Sequence, residues 1–270
     1  MIADHRMFVH QHLYKTEGFL HPIDAMVLLG LSLFQRSRGI RGGIVEIGVF
    51  YGRSFSLLAR TLQPGREKAL AIDLFDIGVR QGLDSKQLES FKRTMSDAGV
   101  LDADYSAWAA NSRNLAADTI LEAVGRVRLF SIDGGHEKPD VDHDCALAMA
   151  SLHPEGAIAF DDFFNAQYPD VTCSILDFIN ASSGKMRPFC LTRNKLYVCR
   201  DSAYPGYMEC LSGLTLWAGA SKQTFKFLGW DVFHCTQSMT NRVLYQKAAE
   251  FGLGGLADKL LRASKPKHTR

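Results

Sequence analysis

Charge of one sign is what this chain has little of: 31 Lys and Arg stand against 29 Asp and Glu, a net charge of +2. So small an excess excludes attachment driven by nucleic-acid phosphates or by an anionic membrane surface. Long apolar runs are missing as well. The longest, Ala25 to Phe34 (AMVLLGLSLF), is about half the ~20 residues that a membrane span needs. The opening MIADHRMFVHQH lacks the basic-then-apolar order of a signal peptide. These absences predict a soluble protein of the cytoplasm. The six cysteines (Cys145, Cys173, Cys190, Cys199, Cys210 and Cys235) contain no CxxC pair and no finger spacing, which argues against structural zinc and leaves most of them as small packed hydrophobes. What is present is an ordinary globular composition. With 46% hydrophobic and 22% charged residues over 270 positions, one large domain, or one domain with an extension, is expected.

The first forty residues read as helical, and the dense apolar set Ile23, Met26, Val27, Leu29, Leu31 and Phe34 predicts a helix buried on most of its surface. From residue 44 onward, strands alternate with helices. The strand-like runs are Ile44 to Ile47, Ala69 to Phe75, Tyr105 to Ala110, Val127 to Ile132 and Ala157 to Phe160. The helices between them are Ser54 to Leu62, Asp84 to Asp97, Leu115 to Val124 and Pro139 to Leu152, followed by Val171 to Ile179. Pro188 to Arg200 reads as a hairpin turning near Arg193 to Lys195. This order predicts an α/β fold with a parallel sheet covered on both faces and closed by a reversed strand. Residues 201–270 are less regular: AYPGYMECLSGL and FKFLGWDVF are mixed, Asn241 to Ala263 reads as helical, and the tail SKPKHTR is expected to fray.

The first strand–turn–helix is VEIGVFYGRSF. Gly48 suits a tight turn and close backbone approach, and Gly52 opens the space before the helix. The spacing is E-x-G-x-x-x-G, without the compact glycine triplet that a dinucleotide pyrophosphate requires. Glu46 beside the turn would repel phosphate and attract a cation. S-adenosylmethionine carries a sulfonium and an ammonium but no phosphate, and so suits an acidic turn. Asp73, ending the second strand, is placed to accept both ribose hydroxyl protons of an adenosine. The plain alternative is a loop at Gly48–Gly52 and a turn-capping Asp73.

VEIGVFYGRSF, LAIDLFD, FSIDGGHEKPDVDHD and HPEGAIAFDDF, in that order, resemble the class I S-adenosylmethionine-dependent methyltransferases, and within them the macrocin O-methyltransferase and cephalosporin-hydroxylase-like group. The resemblance covers roughly residues 40–200. It implies a Rossmann-like, seven-stranded, mostly parallel sheet with one antiparallel strand. Residues 1–40 would then form an N-terminal helical cap, 41–200 the donor-binding core and 201–270 an extension packed on the core. It further implies that Glu46, Gly48 and Gly52 cradle the methionine end of the donor, that Asp73 holds the ribose, and that Asn111 and Ser112 lie by the adenine.

Asp133 follows the fourth strand, and Asp161 and Asp162 the fifth. Three carboxylates at one sheet edge repel and raise one another's pKa, and a hard divalent cation such as Mg²⁺ would relieve them. In metal-dependent members of the resembling group this cluster is the metal site; the alternative is that Asp161 or Asp162 caps the next helix. A metal-bound hydroxyl is acidified and oriented for in-line attack on a sulfonium methyl. His136, three residues past Asp133, is a candidate base or ligand. His143 and the acids of DVDHDC read as a solvated helix face, although Asp144 matches a recurrent acidic position of the group. His153 before Pro154 reads as a turn residue, and Trp217, Trp230 and Phe233 as core rather than acceptor wall. Tyr168 is a candidate to lie over the acceptor.

The expected activity is O-methyl transfer to a small hydroxylated acceptor such as a sugar, natural product or glycolipid, with S-adenosylmethionine and Mg²⁺. Neither nucleic acid nor a membrane span is expected, and a homo-oligomer remains open. The rivals are a metal-dependent hydroxylase or hydrolase, a nicotinamide oxidoreductase, and a non-catalytic binding protein on the same fold.

Overall fold

The computed structural model describes residues 2–77, 86–216 and 219–263. The beginning of the helix expected from Asp84, Trp217 and the C-terminal tail lie outside them. Two helices come first, α1 (Ile2–Gln11) and α2 (Pro22–Ser37). Proline at the first position starts α2, where its missing N–H costs nothing, and the dense apolar sequence buries nearly the whole helix from Pro22 to Leu31.

The alternating core follows: β1 (Gly43–Ile47), α3 (Arg53–Ala59), β2 (Ala69–Asp73), α4 (Gln87–Asp97), β3 (Tyr105–Ala109), α5 (Ala117–Val124), β4 (Val127–Ile132), α6 (Lys138–Ser151), β5 (Leu152–Phe160), α7 (Pro169–Ala181), β6 (Met186–Leu191) and β7 (Leu196–Arg200). Beyond it lie α8 (Tyr204–Gly213), β8 (Ala220–Phe227), β9 (Trp230–Gln237), α9 (Met239–Glu250) and α10 (Gly254–Ala263).

Among the described residues the strands form one sheet in the order β3-β2-β1-β4-β5-β7-β6-β9-β8. The first five run parallel, and β7 lies antiparallel between β5 and β6. β1 and β4 are buried along their whole length, as strands covered on both faces must be. One apolar core lies under α2, α3, α4 and the C-terminal helices, the other under α5, α6 and α7.

The Rossmann-like class stands, but the strand count does not: among the described residues nine strands replace the expected seven, and β8 as well as β7 runs antiparallel. The added hairpin is the segment that read as mixed. Its strands are half-exposed, so Lys222, Thr224 and Lys226 dilute the apolar signal, and Leu228–Gly229 turns between them with positive φ. The helix expected over Asn241 to Ala263 is broken at Phe251–Leu253, where Gly252 takes φ +75°. His153 lies within β5 rather than in a turn. There β5 bulges, since Val127 pairs with Leu152 while Leu129 pairs with Ala157.

Candidate active site

The carboxyl ends of β1, β2, β4 and β5 finish level. Ile47 pairs with Ile72 on one side and Ile132 on the other, and Ile132 with Phe160. The ladder then continues one residue into the loops: Gly48 N donates to Ile72 O (2.8 Å), Asp133 N to Ile47 O (2.9 Å), and Asp161 N to Ile132 O (2.9 Å). Gly48, Asp73, Asp133 and Asp161 are therefore set along one rim, where the chain leaves the sheet on both sides of the β1–β4 crossover. Ligands of open α/β sheets bind at such switch points.

Both turn glycines answer to packing. Gly48 has φ +80°, and a Cβ there would lie 1.7 Å from the Asp133 carbonyl oxygen. Gly52 has φ +86°, and its Cβ would meet the Met95 methyl at 2.8 Å and the Phe91 ring at 2.9 Å. The first glycine thus lets the turn after β1 touch the loop that carries Asp133. Glu46 is buried under that turn. Ser131 Oγ donates to its Oε1 (3.0 Å), Oε2 has no hydrogen-bond partner, and burial pushes its pKa up to about 7. Asp73 ties the two flanking loops together, accepting from Phe50 N (2.9 Å) through Oδ2 and from Phe75 N (2.8 Å) through Oδ1. Gln87 Nε2 approaches Oδ1 at 3.3 Å. Beyond β3, the Asn111 side chain caps a short 3₁₀ turn through Arg113 N (2.9 Å), and Ser112 is buried.

The acidic cluster divides in two. Asp133, His136 and Asp162 each offer a ligand atom, all within 4.8 Å of one another. His136 Nε2 lies 3.0 Å from Asp162 Oδ2, and its ring stacks on Tyr168 at 3.8 Å and 8°. Asp161 is engaged elsewhere: Lys195 Nζ lies 2.5 Å from its Oδ2, and Asn194 Nδ2 donates to its Oδ1 (3.0 Å). Burial and the neighbouring Asp161 carboxylate hold the Asp133 pKa well above the usual carboxylate range. Asp162 adopts φ +54°, and its pKa is lowered by the His136 and Asn165 contacts against the opposing effect of burial.

Sequence reasoning passed over Lys195, which is buried in the β6–β7 turn and faces Asp161, Asp133 and Asp24. Asp24 on α2 accepts from Thr192 Oγ1 and Tyr197 OH, and burial lifts its pKa to about 6. Asp144 belongs to no solvated face. It is fully buried, with its pKa raised to about 6 by burial, while Asp142 remains exposed in an ion pair with Lys138. The spacing Val141, Asp144, Cys145, Ala148 marks this buried face at helical period. His143 reaches the Leu115 carbonyl (3.1 Å). Trp230 lies under the Arg187 guanidinium, 3.5 Å from its ring centre, and Phe233 packs on the first core.

The sheet is Rossmann-like, with an acidic turn at its switch point, where ligands of open α/β sheets bind. Residues 45–163 match the family model of a methyltransferase domain. No curated protein matches the chain. Among solved structures, the O-methyltransferase NovP is similar at 12% identity and a TM-score of 0.55, covering 66% of this chain and 80% of its own. CalS11, a TDP-rhamnose 3′-O-methyltransferase of calicheamicin biosynthesis, is similar at 16% identity and a TM-score of 0.51 over the same shares. At these identities the two structures establish the fold. The similarity to a methyltransferase domain thus runs from β1 through β5 to the rim residues just beyond it. Among the described residues no helix is long and apolar enough to cross a membrane.

Proposed function

We propose that the enzyme transfers a methyl group from S-adenosylmethionine to a hydroxyl of a small molecule or sugar, assisted by a hard divalent cation. The observation that carries the reading is the shared rim, with Glu46 and Asp73 on the β1–β2 side and the Asp133–His136–Asp162 cluster on the β4–β5 side. An unpartnered buried oxygen on Glu46 suits the donor's ammonium, and Asp73 suits the ribose hydroxyls. Asn111 and Ser112 follow β3 on the adenine side of Asp73.

The donor set of Asp133 and Asp162, with His136 in reach, fits Mg²⁺ or Mn²⁺. When bound, the cation would supply Lewis-acid activation of the acceptor hydroxyl. Asp161 contributes less than a sequence reading expects, because its oxygens are already paired with Lys195 and Asn194. The Tyr168 ring fixes the plane of the His136 imidazole, and the Asp162 carboxylate, 3.0 Å from Nε2, would stabilise the imidazolium formed when the ring takes the hydroxyl proton. The 4.8 Å cluster favours a second role for His136, as the third cation ligand.

The test is calorimetric and kinetic. S-adenosylhomocysteine should bind the purified protein, and turnover of a hydroxylated acceptor should vanish in EDTA and return with Mg²⁺. Full turnover in EDTA removes the cation. His136→Ala separates the two roles: a base loses turnover at unchanged Mg²⁺ affinity, and a ligand loses both.

A further inference from the structure

Two arginines, Arg193 and Arg242, lie on elements that join around the start of α2 and the β6–β7 turn, close enough for the charge of Arg193 to act on Arg242. Arg242 on α9 places Nη1 3.2 Å and 3.3 Å from the ring nitrogens of His21, the residue before α2. One turn into α2, Asp24 is bonded to Thr192, the first residue of the β6–β7 turn. The next residue of that turn is Arg193, exposed, directly before the Asn194 and Lys195 that hold Asp161. Among the described residues, neither guanidinium pairs with a carboxylate. Burial and the Arg193 charge hold Arg242 below its ordinary pKa. Burial, then Arg242, pushes His21 down to about 4, with Arg193 and Lys195 acting the same way and Asp161 against. His21 is therefore neutral at pH 7 and adds no third charge.

Like charges gathered at a partly desolvated place are costly unless an anion joins them. Arginine forks suit the oxygens of phosphate and carboxylate groups. The donor has a carboxylate of its own, but the turn expected to hold it follows β1. The β6–β7 turn stands three strands away in the order β1-β4-β5-β7, about 14 Å at normal strand spacing. The acceptor hydroxyl would sit between them, over the ends of β4 and β5.

We propose that Arg193 and Arg242 clamp an anionic oxyacid group, a phosphate ester or a carboxylate, carried by the acceptor. This inference rests on the methyl-transfer reading of the neighbouring residues. It makes the acceptor a charged hydroxylated compound rather than a neutral one.

The test is isothermal titration in metal-free, low-salt buffer, with inorganic phosphate and acetate as separate probes, on the wild type, Arg193→Gln, Arg242→Gln and the charge-keeping Arg242→Lys. S-adenosylhomocysteine is titrated in parallel. Saturable binding of at least one anion is expected, weakened about tenfold in each Gln variant and retained in large part by Arg242→Lys. Preference for phosphate or for acetate identifies the group. Absence of saturable binding to the wild type, or binding unchanged in both Gln variants, overturns the clamp. Failure of S-adenosylhomocysteine to bind, with arginine-dependent anion binding intact, would sink the methyl-transfer reading and leave the anion site standing.

Discussion

Lys195 Nζ stands 2.5 Å from Asp161 Oδ2, with the lysine 4% exposed. This internal ammonium leaves Asp161 largely compensated, while Asp133 keeps a raised pKa in the same cluster. Removing one partner of such a pair leaves a buried charge alone. Lys195→Met should therefore lose about 3–5 kcal/mol in urea unfolding. The double variant Lys195→Met/Asp161→Leu should recover much of that loss. A single variant as stable as the wild type would show that the pair supports nothing.

Asp73 is expected to act on the donor and on the turn together, since its oxygens hold Phe50 N and Phe75 N. Asp73→Ala should weaken S-adenosylhomocysteine by at least about tenfold, the scale of one or two lost charge-assisted bonds. Calorimetry checks it, and unchanged affinity takes Asp73 out of the donor site.

Gly48→Ala should be far worse than Gly65→Ala. Both glycines have positive φ, but Gly65 has nothing within 4 Å of a new Cβ, whereas Gly48 would drive one into the Asp133 carbonyl. About 1–2 kcal/mol is expected at Gly65, from backbone conformation alone. At Gly48 the loss should exceed about 3 kcal/mol, with donor binding impaired in whatever remains folded. Thermal melts of the two variants side by side give the comparison.

The pH dependence of stability follows from Glu46, whose pKa rises from the ordinary 4.5 to about 7 on folding. Across that window the folded state binds more protons than the unfolded one. Its contribution is complete below about pH 4.5 and is lost as pH rises through 7. Asp24 and Asp144, each raised to about 6, act with the same sign. Between pH 5 and pH 8, without donor, the wild type should lose on the order of 2–3 kcal/mol more stability than Glu46→Gln. Parallel pH slopes in urea titrations would refute the assignment.

The central strands were legible because burial on both faces leaves unbroken runs such as VRLFSI, and the rim was legible because Glu46, Asp73, Asp133 and Asp161 each sit at a strand's end. Lys195 was not, since a lone lysine in the turn LTRNK looks like any solvated turn residue until the sheet places it beside Asp161. Asp144 escaped for a related reason: its acidic neighbours suggested an exposed face, while the helical period placed it inward with Val141 and Ala148. Arg193 and Arg242 are separated by 49 positions along the chain, and the joining of α2 to the β6–β7 turn and of Arg242 to His21 brings their elements to the same place.

Among the described residues the sheet ends at β8, whose outer margin has no strand beside it. Ser221, Gln223, Thr224 and Lys226 populate that strand, and Lys226 pairs across to Asp231. Polar residues and lysine on a free margin discourage further strands from adding to it. The C-terminal hairpin thus gives the sheet a hydrophilic selvage, which protects the folded chain against fibre-like growth at that border.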